Sequence, residues 1–182
     1  MTRRPRVACE VSSGRELWLD AGQKLLRRGG IVAVKLQALT DELGLTTGSF
    51  YHHFEGMKDY LDQLARFYGA DQVRQNLVLV DDPDPRERLR HLGVMARTQR
   101  MVPLDAAMRD WAGSNATAAA SVRAADEQLL RFVARAFRDL GYPRRESQIR
   151  AQLLLSVGVA RVMPPWRTLA GDAELVLRIL AP

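Results

Sequence analysis

The apolar residues of this chain recur every three or four positions and never alternate over a useful length. That pattern excludes a sheet-based architecture and points to a bundle of short amphipathic helices. Leu17, Ala21 and Leu25, with Trp18 and Leu26 beside them, mark a first helix that stops at Gly29-Gly30. Leu36, Leu39, Thr40 and Leu43 mark a second, ended by Gly44, and Thr47 to Phe54 a third with Thr46 as its N-cap. A longer helix is predicted from Met57 to Val78. Asp81-Asp82-Pro83-Asp84-Pro85 reads as a linker, with Asp84 capping a helix to about Arg100 and Glu87 as its capping-box partner. Pro103 to Trp111 is a short helix, and Gly113-Ser114-Asn115 a break. Val122 to Leu140 lies on one long amphipathic helix closed by Gly141-Tyr142-Pro143. Glu146–Met163 and Asp172–Leu180 complete about nine helices.

With 182 residues, 47% of them apolar and 26% charged, the chain is long enough for a real core and ordinary for a globular protein. The single cysteine, Cys9, forms no internal disulfide, and three histidines leave little for a transition-metal site. No cofactor is expected. The net charge is +6, and all but three (Lys24, Lys35, Lys58) of the 27 basic residues are arginine. This balance permits an anionic partner without requiring one. Neither a signal peptide nor a membrane span is legible, so the cytoplasm is the expected compartment. No serine sits in a nucleophile elbow and no glycine loop ends in Gly-Lys-Ser/Thr, so an enzyme is not expected.

Residues 36–54 are the informative stretch. Two short helices separated by Gly44-Leu45-Thr46 have the spacing of a helix-turn-helix, whose second helix enters the major groove. Leu39, Leu43, Leu45, Phe50 and Phe54 are read as facing inward. The outward residues Thr47, Gly48, Ser49, Tyr51 and His52 are small or polar, and none is acidic. Gly48 costs a helix roughly 1 kcal/mol against alanine, which close approach to a phosphate would justify. Thr46, Thr47 and Ser49 supply hydroxyls, helix N-terminal amides favour a phosphate, and Tyr51 and His52 are long enough to reach base edges. His53 is assigned to a phosphate. Adjacent histidines point about 100° apart on a helix and do not converge on one metal ion. A polar solvated helical hairpin would show the same pattern.

The run Gly44-Leu45-Thr46-Thr47-Gly48-Ser49-Phe50-Tyr51-His52-His53-Phe54 resembles the signature of the TetR family of bacterial transcriptional regulators. Asp20-Ala21-Gly22, Leu25-Leu26, Gly30 and Leu61 match its surroundings, and the motif covers about a third of the chain. Three positions depart from the family pattern. Lys35 stands where a serine or threonine usually caps, Thr47 where a basic residue is common, and Lys58 one position beyond the family's lysine. The resemblance implies an all-α protein with a basic arm at 1–13, a three-helix DNA-binding head at 14–56 and a helical ligand-binding and dimerisation domain at 57–182. It implies a homodimer joined through its last two helices, with Ala151–Met163, apolar nearly all round, as part of the joint. Two recognition helices would then read a near-palindromic operator in double-stranded DNA, about 34–36 Å apart. Lys35, Thr46, Thr47, Gly48, Ser49, Tyr51, His52, His53 and Lys58 are the expected DNA-contacting residues. Repression relieved by a small apolar effector is the expected mode, with Met108, Trp111 and Phe132 the expected pocket residues. Arg3, Arg4 and Arg6 read either as a basic arm that follows the DNA backbone or minor groove or as a disordered tail. A DNA-binding protein that only dimerises, and a helical binding or enzymatic module without DNA recognition, are the alternatives.

Overall fold

The computed structural model describes residues 14–98, 101–159 and Ile179. The described residues contain nine α-helices and a short 3-10 helix at Ile31–Ala33, and no strand occurs among them. The α-helices are α1 (Gly14–Gly29), α2 (Leu36–Leu43), α3 (Thr47–His53), α4 (Met57–Phe67), α5 (Ala70–Val78), α6 (Pro85–Thr98), α7 (Met101–Ala112), α8 (Ala116–Asp139) and α9 (Arg144–Val159). The predicted arm at 1–13 and the predicted helix Asp172–Leu180, Ile179 apart, lie outside the described residues, as does the end of Glu146–Met163.

The predicted helix over 57–78 is two helices. Tyr68 ends α4, and Gly69 takes an extended conformation at φ −65° and ψ −165°. The Gly69 N–H turns back to the Arg66 carbonyl at 2.9 Å, so the i→i−4 ladder is interrupted there. A Cβ at Gly69 would stand 2.8 Å from the Arg66 oxygen, which leaves this bend to glycine. Apolar periodicity runs through the bend unbroken, and that is why the sequence reads as continuous.

The caps follow the sequence more closely. Asn115 Oδ1 accepts from the Ala118 N–H at 2.8 Å and starts α8. Asp84 Oδ1 accepts from the Arg86 N–H at 2.8 Å and starts α6. Glu87, the expected capping-box partner, does not reach back. The Asp84 N–H donates to Asp82 Oδ1 at 2.8 Å, and Glu87 pairs with Arg90 instead.

The linker at 81–85 is clamped to the bundle. Arg88 is 6% exposed. Its Nε and Nη2 donate to the Asp82 carbonyl at 3.0 and 2.9 Å, and its Nη1 to Asp139 at 2.6 Å at the end of α8. Asp81 lies 3.1 Å from the same guanidinium. A cation this deep needs several acceptors to offset its lost hydration, and two carboxylates with one carbonyl supply them.

The core is continuous from the first helices to the last described ones. α8 packs against α4, α5, α6, α7 and α9, and α7 packs against α1. Trp18, Phe50, Tyr60, Leu64, Met108, Val133 and Phe137 are among its most deeply buried side chains. No helix among the described residues is long and apolar enough to cross a membrane.

Candidate nucleic-acid interface

The first four helices form a small unit around aromatic rings. Phe50 of α3 meets Trp18 of α1 edge-on at 5.4 Å, Tyr60 of α4 at 5.4 Å and Phe54 at 5.1 Å. Phe54 meets Tyr60 edge-on at 5.0 Å. Offset and edge-to-face pairs of this kind add attraction beyond simple burial. The Tyr60 hydroxyl donates to the Trp18 carbonyl at 2.8 Å, which ties α4 to α1. Burial holds the Tyr60 phenol well above its ordinary value. Gly22 makes this approach possible, because a Cβ there would lie 2.1 Å from Tyr60 Oη and 2.9 Å from Leu64.

The turn is built as its residues require. Gly44 sits in the left-handed region at φ 65° and ψ 27°, where a side chain would be strained. The Leu45 N–H returns to the Thr40 carbonyl at 3.2 Å. Thr46 caps α3, its Oγ1 accepting from the Ser49 N–H at 3.3 Å. Leu45, read from sequence as inward, is instead 40% exposed, because the turn lifts it off the core. On the far side of the head, Arg28 pairs with Glu42 at 2.6 Å and Lys24 with Glu42 at 3.6 Å. Arg28 holds the Glu42 carboxyl below its usual range.

α3 therefore has one fixed face and one open face. Phe50 is buried, while Thr46, Thr47, Gly48, Tyr51 and His52 are exposed and Ser49 is half-buried. Gly48 has no crowding neighbour: a Cβ there would meet only Thr46 Oγ1 at 3.7 Å. Nothing inside the protein requires glycine at this position. Tyr51 is 58% exposed, its ring edge-on to Phe50 at 5.4 Å. Lys35 caps α2 through its backbone alone, with no side-chain hydrogen bond, and its side chain is exposed, as is that of Lys58 on α4.

His53 sits apart from the others. It is half-buried, and its Nε2 would lie 3.0 Å from a Cβ at Gly14, so its ring lies against the start of α1. Arg15 donates to the His53 carbonyl at 3.0 Å. The two histidine rings are 5.1 Å apart and inclined at 71°. Among the described residues, no cluster of metal-ligating side chains occurs.

The three residues expected at a ligand pocket are placed differently among the described residues. Met108 and Trp111 are buried on α7, in the core. Phe132 lines a cavity of about 770 Å³ between α5, α8 and α9, where neither Met108 nor Trp111 is present. Sequence reading missed the rest of that wall. Arg131, Arg135 and Arg138 share a face of α8, and Arg74 of α5 and Arg144 of α9 line the cavity with them. Their four- and three-residue spacing was the available signal, but it is also that of any solvated helix face.

Residues 19–64 match the family model described as bacterial regulatory proteins, tetR family. Over 88 residues, the chain is 31% identical to the HTH-type transcriptional repressor KstR2 of Mycobacterium tuberculosis. That match takes in 48% of this chain and spans only 44% of the length of the curated relative. A solved TetR-family regulator from Agrobacterium tumefaciens superposes with a TM-score of 0.71 at 18% identity, over 92% of this chain and 96% of that one. A TetR transcriptional regulator from Legionella pneumophila gives 0.70 at 14% identity, over 93% and 89%. At such identities the two solved structures speak for the fold, and the family resemblance rests on residues 19–64. The aromatic core, the glycine turn and the capped third helix all lie within the matched segment or at positions packed on it, and over residues 19–64 the chain is similar to the TetR family of bacterial regulatory proteins.

Proposed function

We propose that the protein is a dimeric, sequence-specific transcriptional regulator: a repressor that leaves a near-palindromic operator when a small molecule binds its C-terminal helices. The observation that carries this reading is the open face of α3. It is exposed, free of acidic side chains, and contains a glycine that no internal contact requires. A helix presented this way suits the major groove, where close approach matters and Tyr51 and His52 can reach base edges. Lys35, Thr46, Thr47, Ser49, His53 and Lys58 are proposed as phosphate or supporting contacts, positioning the helix without specifying sequence.

The proposed dimer uses α9. Ile149 is 48% and Leu153 51% exposed, one turn apart, beside the half-buried Leu154 and Leu155. Two large aliphatic side chains stacked at i and i+4 on one exposed face are natural candidates for cover by a second copy. The proposed effector site is the cavity behind this helix. To carry the operator-bound population from 99:1 to 1:99, a ligand must prefer the released state by about 10⁴-fold, ~5.5 kcal/mol.

Selection of bound duplexes from a random pool at roughly physiological salt tests the reading. An inverted repeat is the expected product, and Tyr51→Ala is expected to weaken binding to it by about 1–3 kcal/mol without dissociating the dimer. Recovery of no motif would remove the regulator reading and leave a helical binding module.

A further inference from the structure

We infer that the cavity between α5, α8 and α9 takes an amphiphilic anion, a carboxylate or phosphate head on an apolar body, rather than a purely apolar molecule. This rests on the reading of the C-terminal helices as a sensor and narrows the chemistry of what they sense. The cavity's volume of about 770 Å³ is that of a small-molecule site. Its lining is divided in two. Leu77, Phe132 and Ala151 are buried side chains that give it an apolar floor. Five arginines stand around them, and Asp81 is the sole carboxylate in the lining. Asp81 is already engaged, 2.7 Å from Arg135 and 3.1 Å from the buried Arg88.

The arginines are not equivalent. Arg131 pairs with Glu127 at 3.4 Å, and Arg135 stacks over the Phe132 ring at 5.5 Å besides meeting Asp81. Arg138 and Arg144 have no carboxylate within ion-pair distance among the described residues. They flank the turn that joins α8 to α9, so two guanidinium forks border one end of the cavity. A guanidinium presents paired donors whose spacing fits a carboxylate or phosphate. Phe132 lies six residues before Arg138, ~9 Å along the helix axis, which sets the apolar floor beside the cationic end. A neutral hydrocarbon would offer the Arg138 and Arg144 guanidiniums no anionic partner. A bare inorganic anion would leave the floor unused.

The test is calorimetric titration of the full chain with four probes: decanoate, monodecyl phosphate, decanol and inorganic phosphate, each below its aggregation threshold. The comparison protein is the double variant Arg138→Gln/Arg144→Gln. Both side chains are exposed and neither breaks an ion pair, so the variant retains the fold, as circular dichroism will verify. The expected result is binding of decanoate or decyl phosphate, weakened about tenfold or more in the variant, with decanol and inorganic phosphate far weaker. Which of the two acids binds more tightly identifies the head group. Equal binding of decanol, equal binding of phosphate alone, undiminished binding by the variant, or no binding by any probe would each overturn the inference. So would sedimentation showing that the variant loses its dimer, since a second copy would then be what occupies the cavity. Affinity for the selected duplex is measured separately. An acid that binds without altering it keeps the site and removes its regulatory role. A chain with no duplex preference that still binds the acid overturns the regulator reading alone.

Discussion

Two glycines in the head look alike in sequence and differ in what constrains them. Gly22 is held by the protein itself, since a Cβ would press on Tyr60 Oη and on Leu64. Overpacking of this kind costs about 1–3 kcal/mol, against the ~1 kcal/mol that alanine gains in helix propensity. Gly22→Ala is therefore expected to lower the melting temperature. Gly48 has open space around it, so Gly48→Ala should raise thermal stability by about 0.5–1 kcal/mol. The same variant should weaken binding to the selected duplex by about tenfold, roughly one lost contact. Gain of stability with unchanged DNA affinity would show that α3 does not approach a phosphate at this point. The sequence supplied both glycines and the family motif around them. It could not separate their roles, because the atom that distinguishes them, the Tyr60 hydroxyl, comes from a helix 38 residues away.

Among the elements, the bend between α4 and α5 departs most from the sequence reading, and it is held from outside. The Tyr68 hydroxyl donates to Asp105 of α7 at 2.8 Å. Arg109 takes the other oxygen of Asp105 at 2.8 Å and extends to Asp126 of α8. One phenol, two carboxylates and a guanidinium thus join three helices at the bend. Periodicity reports only which face of a helix is apolar, so a polar chain of partners spread over 59 residues leaves no mark in it. Both Tyr68 and Tyr60 have phenols raised above the ordinary value of 10.0, chiefly by burial. The folded state keeps these protons where the unfolded chain releases them. Stability should therefore be full below about pH 10 and fall above it, by up to ~1.4 kcal/mol per pH unit for each phenol. Tyr68→Phe should cost about 1 kcal/mol at neutral pH and flatten that alkaline decline by one proton. Urea titrations between neutral pH and the alkaline limb would measure both; a decline of unchanged slope would mean that Tyr68 ionises freely.

For the whole molecule, charge and oligomeric state are the properties at issue. Residues 14–60 carry six Lys/Arg and six Asp/Glu, so the head has no net charge of its own. Arg3, Arg4 and Arg6 precede it in the sequence. Phosphate neutralisation sets the salt dependence of DNA binding, at about −0.9 in log K per log salt for each phosphate contacted. Changing all three arginines to glutamine should flatten that slope by up to about 3 and leave the preferred sequence unaltered. An unchanged slope would assign the phosphate contacts to the head alone. In the same way, Leu153→Glu should shift sedimentation toward the monomer, and a dimer that survives it would place the joint elsewhere than on α9. The helical class and the helix-turn-helix were legible because local periodicity and a short motif determine them. The cavity wall was not, because it arises only where distant helices meet. The Tyr60 anchor also has a practical bearing on exchanging heads between regulators. A chimera cut at residue 56 would part Phe50, Trp18 and Gly22 from the ring they close upon, and should yield an unstable head. A junction at Tyr68-Gly69, where the helix already bends, keeps those rings together and is the place to splice.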